Sequence, residues 1–157
     1  MSGNPAKVGG RSRFKQGLYK PANPQKYVGD VNKIVFRSSW ELKVCQKLDY
    51  AEYVVAWCME HPVIHYTKPT TGRVHRYFPD FLVKTKLADG STITTLIEVK
   101  PDKERFPPKP QGKKKSRYLQ EAVTYEVNTA KWNAARAYCK QKGWNFVVLT
   151  EKEILGV

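Results

Sequence analysis

The chain has 157 residues, enough for one globular domain with a single core and a tail. Lysine and arginine number 28 against 14 aspartates and glutamates, a net +14 that favours a polyanionic partner: nucleic acid first, then a ribosomal or membrane-surface role. No apolar run nears the ~20 residues of a membrane span and none follows the basic N-terminal residues, so a soluble, unsecreted protein is expected.

Residues 1–33 lack hydrophobic periodicity and are rich in Gly, Pro, Lys and Arg. They read as a basic arm with little structure of its own, followed by a domain over 34–157. Ser38-Ser39-Trp40-Glu41 fits a capping box, with Ser38 as N-cap. Trp40, Val44 and Leu48 then mark one helical face, which predicts a helix over 39–49.

Tyr53 to Trp57 and Val63 to Tyr66 are short apolar runs divided by His61-Pro62, one interrupted strand or two short ones. Arg76 to Leu87 reads as a strand with a break at Pro79. Thr92 to Lys100 alternates with Ile93, Thr95, Ile97 and Val99 on one face. Asp89-Gly90 between them signals a hairpin. The proline-rich, basic stretch 101–115 is a loop. Residues 116–142 are helical, with a division expected at Val127-Asn128-Thr129. Trp132, Ala135 and Cys139 form an apolar stripe there, and Gly143 is placed to end the helix left-handed. Trp144 to Leu149 is a buried strand, and Thr150 to Glu153 starts a short last helix. The order α-β-β-β-α-β with a final short helix makes a small α/β or α+β domain.

The hairpin carries a geometric argument. Phe81 and Val83 must share the core face with Ile93, Ile97 and Val99. Side chains alternate strictly, so odd positions must pair with odd. A two-residue turn breaks that parity. A three-residue turn, Ala88-Asp89-Gly90 with Gly90 left-handed, restores it. Asp80 then lies opposite Glu98, on the same face as Lys100. Two facing carboxylates repel unless a cation lies between them, and magnesium takes such a site together with substrate phosphate. Asp80, Glu98 and the Val99 carbonyl are the candidate ligands. Lys100 is placed to hold an attacking water or to offset transition-state charge. Glu-x-Lys on a strand is also common as a merely paired, exposed face. Glu41 has two readings that can coexist: a helix cap, and a third acidic ligand.

Pro79-Asp80 followed by Glu98-Val99-Lys100 resembles the motif of the PD-(D/E)xK nuclease superfamily. A closer likeness is to the head-completion nucleases of T-even-type tailed phages. It runs from Lys26-Tyr27 and Gly29-Asp30 through Arg37-Ser38, Trp40-Glu41, Trp57 and Glu60. It continues in Arg76-Tyr77-Phe78, Asp80 and Glu98-x-Lys100-Pro101. It ends in Val127-Asn128-Thr129, Lys131-Trp132, Ala134-Ala135 and Leu149-Thr150-Glu151. The basic arm before Lys26 is longer than that family's pattern.

The resemblance implies a restriction-endonuclease-like core, a mixed sheet flanked by helices. It implies DNA endo- and exonuclease activity with magnesium, or manganese in its place. Asp80, Glu98 and Lys100 would be catalytic and Glu41 a helper. The setting implied is head completion and head-to-tail joining in the host cytoplasm, with head, portal or neck proteins as further partners and an association with the virion. Two other readings stand beside it: a non-catalytic DNA-binding component of the portal or neck, and a resolvase or transposon-end nuclease with the same core.

For DNA contact, Lys113, Lys114, Lys115 and Arg117 form the clearest patch. Arg73 and Arg76 lie on the strand leading to Asp80, Lys131 adjoins Trp132, and Arg11, Arg13 and Lys15 belong to the arm. Phosphate contacts carry no base information, so weak sequence preference is expected. No small-molecule cofactor is expected. Cys58, His61 and His65 resemble a zinc cluster but lack a clear fourth ligand. The three cysteines, Cys45, Cys58 and Cys139, are odd in number and read as buried free thiols.

Overall fold

The computed structural model describes residues 16–155. Two short strands, β1 (Gly17–Leu18) and β2 (Val35–Phe36), pair antiparallel ahead of helix α1 (Ser39–Tyr50). Strands β3 (Val54–Met59), β4 (Ile64–Thr67), β5 (Val74–Tyr77), β6 (Phe81–Lys86) and β7 (Thr92–Val99) follow. The long helix α2 (Lys115–Lys142), strand β8 (Asn145–Leu149) and the short helix α3 (Glu151–Leu155) complete the chain.

The central sheet has four strands in the order β3-β6-β7-β8. The first three are antiparallel neighbours, while β8 runs parallel to β7, as a strand returning from a helical crossover must. Strands β4 and β5 form a separate two-stranded hairpin. With that hairpin set aside, the order from α1 onward is α-β-β-β-α-β, as the sequence predicts.

The hairpin register agrees with the parity argument. Phe81 pairs with Ile97 and Lys86 with Thr92, and Gly90 has φ +87°, the left-handed turn conformation. One face of the sheet, with Phe81, Val83 and Ile97, packs on α1 and α3. The opposite face is not open. Leu96 there is fully buried in a second core with Ile64, Tyr66, Ala135 and Cys139, covered by α2 and the β4–β5 hairpin. The face that carries Asp80 and Glu98 is therefore dry at its centre.

Three expectations are corrected. Residues 16–33 are not a structureless arm. Tyr19 enters the core, Tyr27 packs edge-on to Trp57 at 4.8 Å, and two 3-10 turns, Pro24–Lys26 and Val31–Lys33, flank Tyr27. The anchor is Asp49, whose carboxylate accepts from Tyr19 Oη, Ala22 N and Asn23 N. Partners this distant in sequence leave no periodic signal. Arg11, Arg13 and Lys15 lie outside the described residues.

Helix α2 is not divided at Val127-Asn128-Thr129. The Thr129 hydroxyl bonds back to the Tyr125 carbonyl at 2.8 Å, and Asn128 is buried. Packing of one continuous stripe on the sheet outweighs three residues of weak helix propensity. The stripe Trp132, Ala135, Cys139 is buried, and Gly143 caps at φ +72°.

Finally, Pro79 does more than interrupt one strand. It separates β5 from β6, which belong to different sheets. Arg73 consequently falls in the β4–β5 turn and not on the strand into Asp80.

Candidate active site

Asp80 precedes the first residue of β6, Glu98 lies at the end of β7, and Lys100 is the residue just after it. Extending the Phe81–Ile97 pairing by one step sets Asp80 opposite Glu98. Asp80 Oδ2 accepts from Val99 N at 2.7 Å, so the backbone at the end of β7 fixes that carboxylate. Lys100 Nζ lies 3.6 Å from Glu98 Oε1. Tyr77 Oη donates to Glu98 Oε2 at 2.6 Å, a buried contact.

The electrostatics follow from burial. Asp80 is held well above the usual aspartate range, by desolvation first and then by the charge of Glu98. Glu98, only 5% exposed, is also raised by burial. Lys100, Tyr77 and Lys131 oppose that rise but do not cancel it. Lys131 is pushed down by desolvation and by Lys100, while both carboxylates pull it up. Its ammonium sits 5.7 Å from the Tyr77 ring centroid.

Glu41 reaches the same region. It lines a cleft of about 440 Å³ together with Arg37, Val99 and Lys100. Burial raises its pKa, with Glu60 and Glu98 adding to the rise. The cap is also real: Ser38 Oγ accepts from Glu41 N at 3.0 Å. In a capping box the N3 side chain returns to the N-cap amide. Here Glu41 Oε2 accepts instead from Arg37 N, one residue earlier. The Arg37 guanidinium pairs with Glu60, whose backbone N–H meets the Asp80 carbonyl.

The structure thus brings Asp80, Glu98, Lys100, Val99 and Glu41 together, and Lys131 with them. It leaves the other basic candidates outside. Arg76 is exposed and lies 5.7 Å over the Phe78 ring. Lys113 and Arg117 both bind Glu121, and Lys114 and Lys115 are exposed at the start of α2. Sequence alone does not single out Tyr77. Its strand ends before Pro79, so the parity that links Asp80 to Glu98 cannot be carried back to it.

Among the described residues no three acidic, histidine or cysteine side chains already stand as a metal cage. The donor chemistry nonetheless fits a hard cation. Half-buried Asp80 and buried Glu98 are mutually repelling carboxylates, each with one oxygen fixed by an amide or phenol donor, and the second oxygen of Glu98 faces Lys100. Cys58, His61 and His65 make no zinc site: Cys58 is buried, whereas His61 and His65 are exposed.

Residues 51–151 match the family of TnsA-like endonuclease N-terminal domains. The chain belongs to that family. Its fold is accordingly restriction-endonuclease-like, and endonucleases of this superfamily typically use divalent metals. A curated relative, the head completion nuclease of Enterobacteria phage T4, is 40% identical over 139 residues. That match covers 86% of this chain and 90% of the relative. This member of the endonuclease family is therefore a DNA-hydrolysing enzyme, and Asp80, Glu98 and Lys100 lie inside the matched residues. Glu41 lies before the first of them.

Proposed function

We propose that this chain is a magnesium-dependent DNA endo- and exonuclease of phage head completion and head-to-tail joining. The observation that carries the chemistry is the facing Asp80–Glu98 pair, with Glu98 buried and Lys100 Nζ 3.6 Å from it. Similarity over most of the chain to the phage T4 head completion nuclease supports the biological setting. The TnsA-like family match fits a transposon-end nuclease in its core, but it spans a shorter part of the chain.

Asp80, Glu98 and the Val99 carbonyl would hold the cation, with magnesium the physiological ion and manganese a substitute. Such an ion supplies Lewis-acid polarisation of the phosphoryl oxygen and a lower pKa for a bound water. The Val99 amide and the Tyr77 phenol orient the two carboxylates before substrate arrives. Lys100 holds the attacking water and, with Lys131, offsets negative charge on the phosphorane. Glu41 assists from the cleft wall.

Lys114, Lys115, Arg73 and Arg76 meet phosphates, with Lys113 and Arg117 beside them. Phosphate contacts confer weak sequence preference. Head, portal or neck proteins are the proposed partners, in the host cytoplasm during assembly.

Plasmid digestion by the purified protein tests this. Nicking is expected with magnesium, none with EDTA, and none with Asp80→Ala or Lys100→Ala. Nicking that survives EDTA, or variants as active as the wild type, would remove the proposed site. Salt-sensitive DNA binding without nicking would leave a structural role in the neck.

A further inference from the structure

A second cleft of about 670 Å³ lies between the segment that follows Lys100 and the first half of α2. That volume is typical of a small-ligand site. Glu104 lines both this cleft and the one beside Glu41 and Lys100, so the two are neighbours.

Its walls combine three kinds of chemistry. Phe106 and Tyr125 present aromatic rings, and Phe106 is 59% exposed although it is apolar. Pro107 and Pro108 restrict the backbone that carries Phe106. Four cations, Lys103, Lys109, Lys113 and Arg117, face two carboxylates, Glu104 and Glu121, leaving the cleft positive. Asn128, only 6% exposed, adds a carboxamide with both donors and an acceptor.

Helix geometry aims the cleft at the carboxylates. Arg117, Glu121, Thr124 and Asn128 recur at helical spacing on one face of α2. The next residue on that face is Lys131, which lies over Tyr77, the donor to Glu98. Tyr125 precedes Lys131 by about 9 Å along the helix axis. A strand whose phosphate lies at Asp80 and Glu98 would bring a neighbouring nucleotide to the cleft.

We propose that this cleft binds an unpaired nucleotide of the substrate strand, its base stacked on Phe106 and Tyr125. The proposal rests on the nuclease reading and adds a substrate class to it: DNA with a single-stranded segment next to the cut. Pairs inside a duplex have both faces covered by their neighbours, whereas an unpaired base can place its face on a side chain. Lys103 and Lys109 meet its phosphates, and Asn128 reads a base edge. Rings, cations and a buried amide in one recess match base, phosphate and base edge better than they match an acidic peptide.

The test is equilibrium binding of the full chain in EDTA, so that no cleavage is needed. A blunt duplex is compared with the same duplex carrying a short overhang that contains 2-aminopurine. The overhang should bind about tenfold tighter, on the scale of stacking one base on an aromatic side chain, with quenched fluorescence. Phe106→Ala and Tyr125→Leu should each cut that preference several-fold, and Phe106→Trp should keep it. Equal affinity for both DNAs, or full preference in the Phe106→Ala/Tyr125→Leu double variant, overturns the proposal and leaves a protein partner as the occupant. Nicking is read separately. An active nuclease without overhang preference defeats the cleft assignment alone. An inactive protein that still prefers the overhang defeats the nuclease reading and leaves the cleft standing.

Discussion

The phenol of Tyr77 donates a hydrogen bond of 2.6 Å to Glu98 and so ties the β4–β5 hairpin to the end of β7. The contact is buried, and Glu98 keeps one oxygen for Tyr77 while the other faces Lys100. A partner that orients a metal-binding carboxylate typically changes metal affinity or activity by 10- to 100-fold when removed. Tyr77→Phe deletes only the hydroxyl and keeps the ring in its core. Nicking should fall by about that factor at limiting magnesium and recover in part at high magnesium. Equal nicking by the variant and wild type across the whole magnesium titration would show that Tyr77 serves packing alone.

Ser38 and Glu41 separate capping from chemistry. Ser38→Ala removes the acceptor for Glu41 N and should cost about 1 kcal/mol in urea unfolding, with nicking by the folded protein unchanged. Glu41→Gln keeps an acceptor for Arg37 N but removes the charge that Asp80 feels. It should slow nicking about tenfold, the scale of losing an auxiliary ligand contact, and change stability by well under 1 kcal/mol. If Glu41→Gln nicked at the wild-type rate, Glu41 would be a cap only.

Much of this site is legible in sequence because alternation and turn chemistry constrain each other. Gly90 accommodates the left-handed position of a three-residue turn, the turn sets the register, and the register places Asp80 opposite Glu98. The parts that escape reading are those fixed by contacts distant in sequence. Tyr19 and Asp49 are 30 residues apart, and nothing local to either announces the pairing. Tyr77 reaches Glu98 across a change of sheet at Pro79. The false break in α2 has another origin: Val127, Asn128 and Thr129 are poor helix formers, but burial of Asn128 and Trp132 against the sheet prevails. That the carboxylate face is buried under α2 was likewise invisible, because strand alternation identifies a polar face without saying what covers it.

Glu121 restrains part of the basic surface. It holds Lys113 Nζ at 2.5 Å and Arg117 Nε at 3.1 Å. The bond from Lys113 is the main reason its carboxyl sits below the usual range. Glu121→Gln releases both cations toward phosphate. Duplex binding should tighten, and the dependence of log K on log salt should steepen by up to about 2 for two new phosphate contacts. Anisotropy titrations at several salt concentrations measure the slope. An unchanged slope would mean that neither Lys113 nor Arg117 reaches the backbone.

Asp49 makes acid stability a test of how residues 19–23 are docked. It is fully buried and accepts from Tyr19 Oη, Ala22 N and Asn23 N, at 2.6, 2.7 and 2.9 Å. Burial alone would raise its pKa, but these donors outweigh burial and leave it lowered. A carboxyl that is more acidic folded than unfolded contributes stability above its unfolded pKa. That contribution fades as pH falls through the lower, folded value. The wild type should therefore begin to lose stability below about pH 5, where an unfolded aspartate begins to take up protons. Asp49→Asn keeps one acceptor but no charge. It should cost about 2 kcal/mol at pH 7, the scale of a hydrogen bond to a charged group, and lose less than the wild type between pH 5 and 3. Urea unfolding at pH 7, 5 and 3.5 gives both quantities. A variant that tracked the wild type in parallel down to pH 3.5 would mean that the carboxylate of Asp49 carries none of the acid sensitivity, and that Tyr19 is held by packing against Trp57 alone.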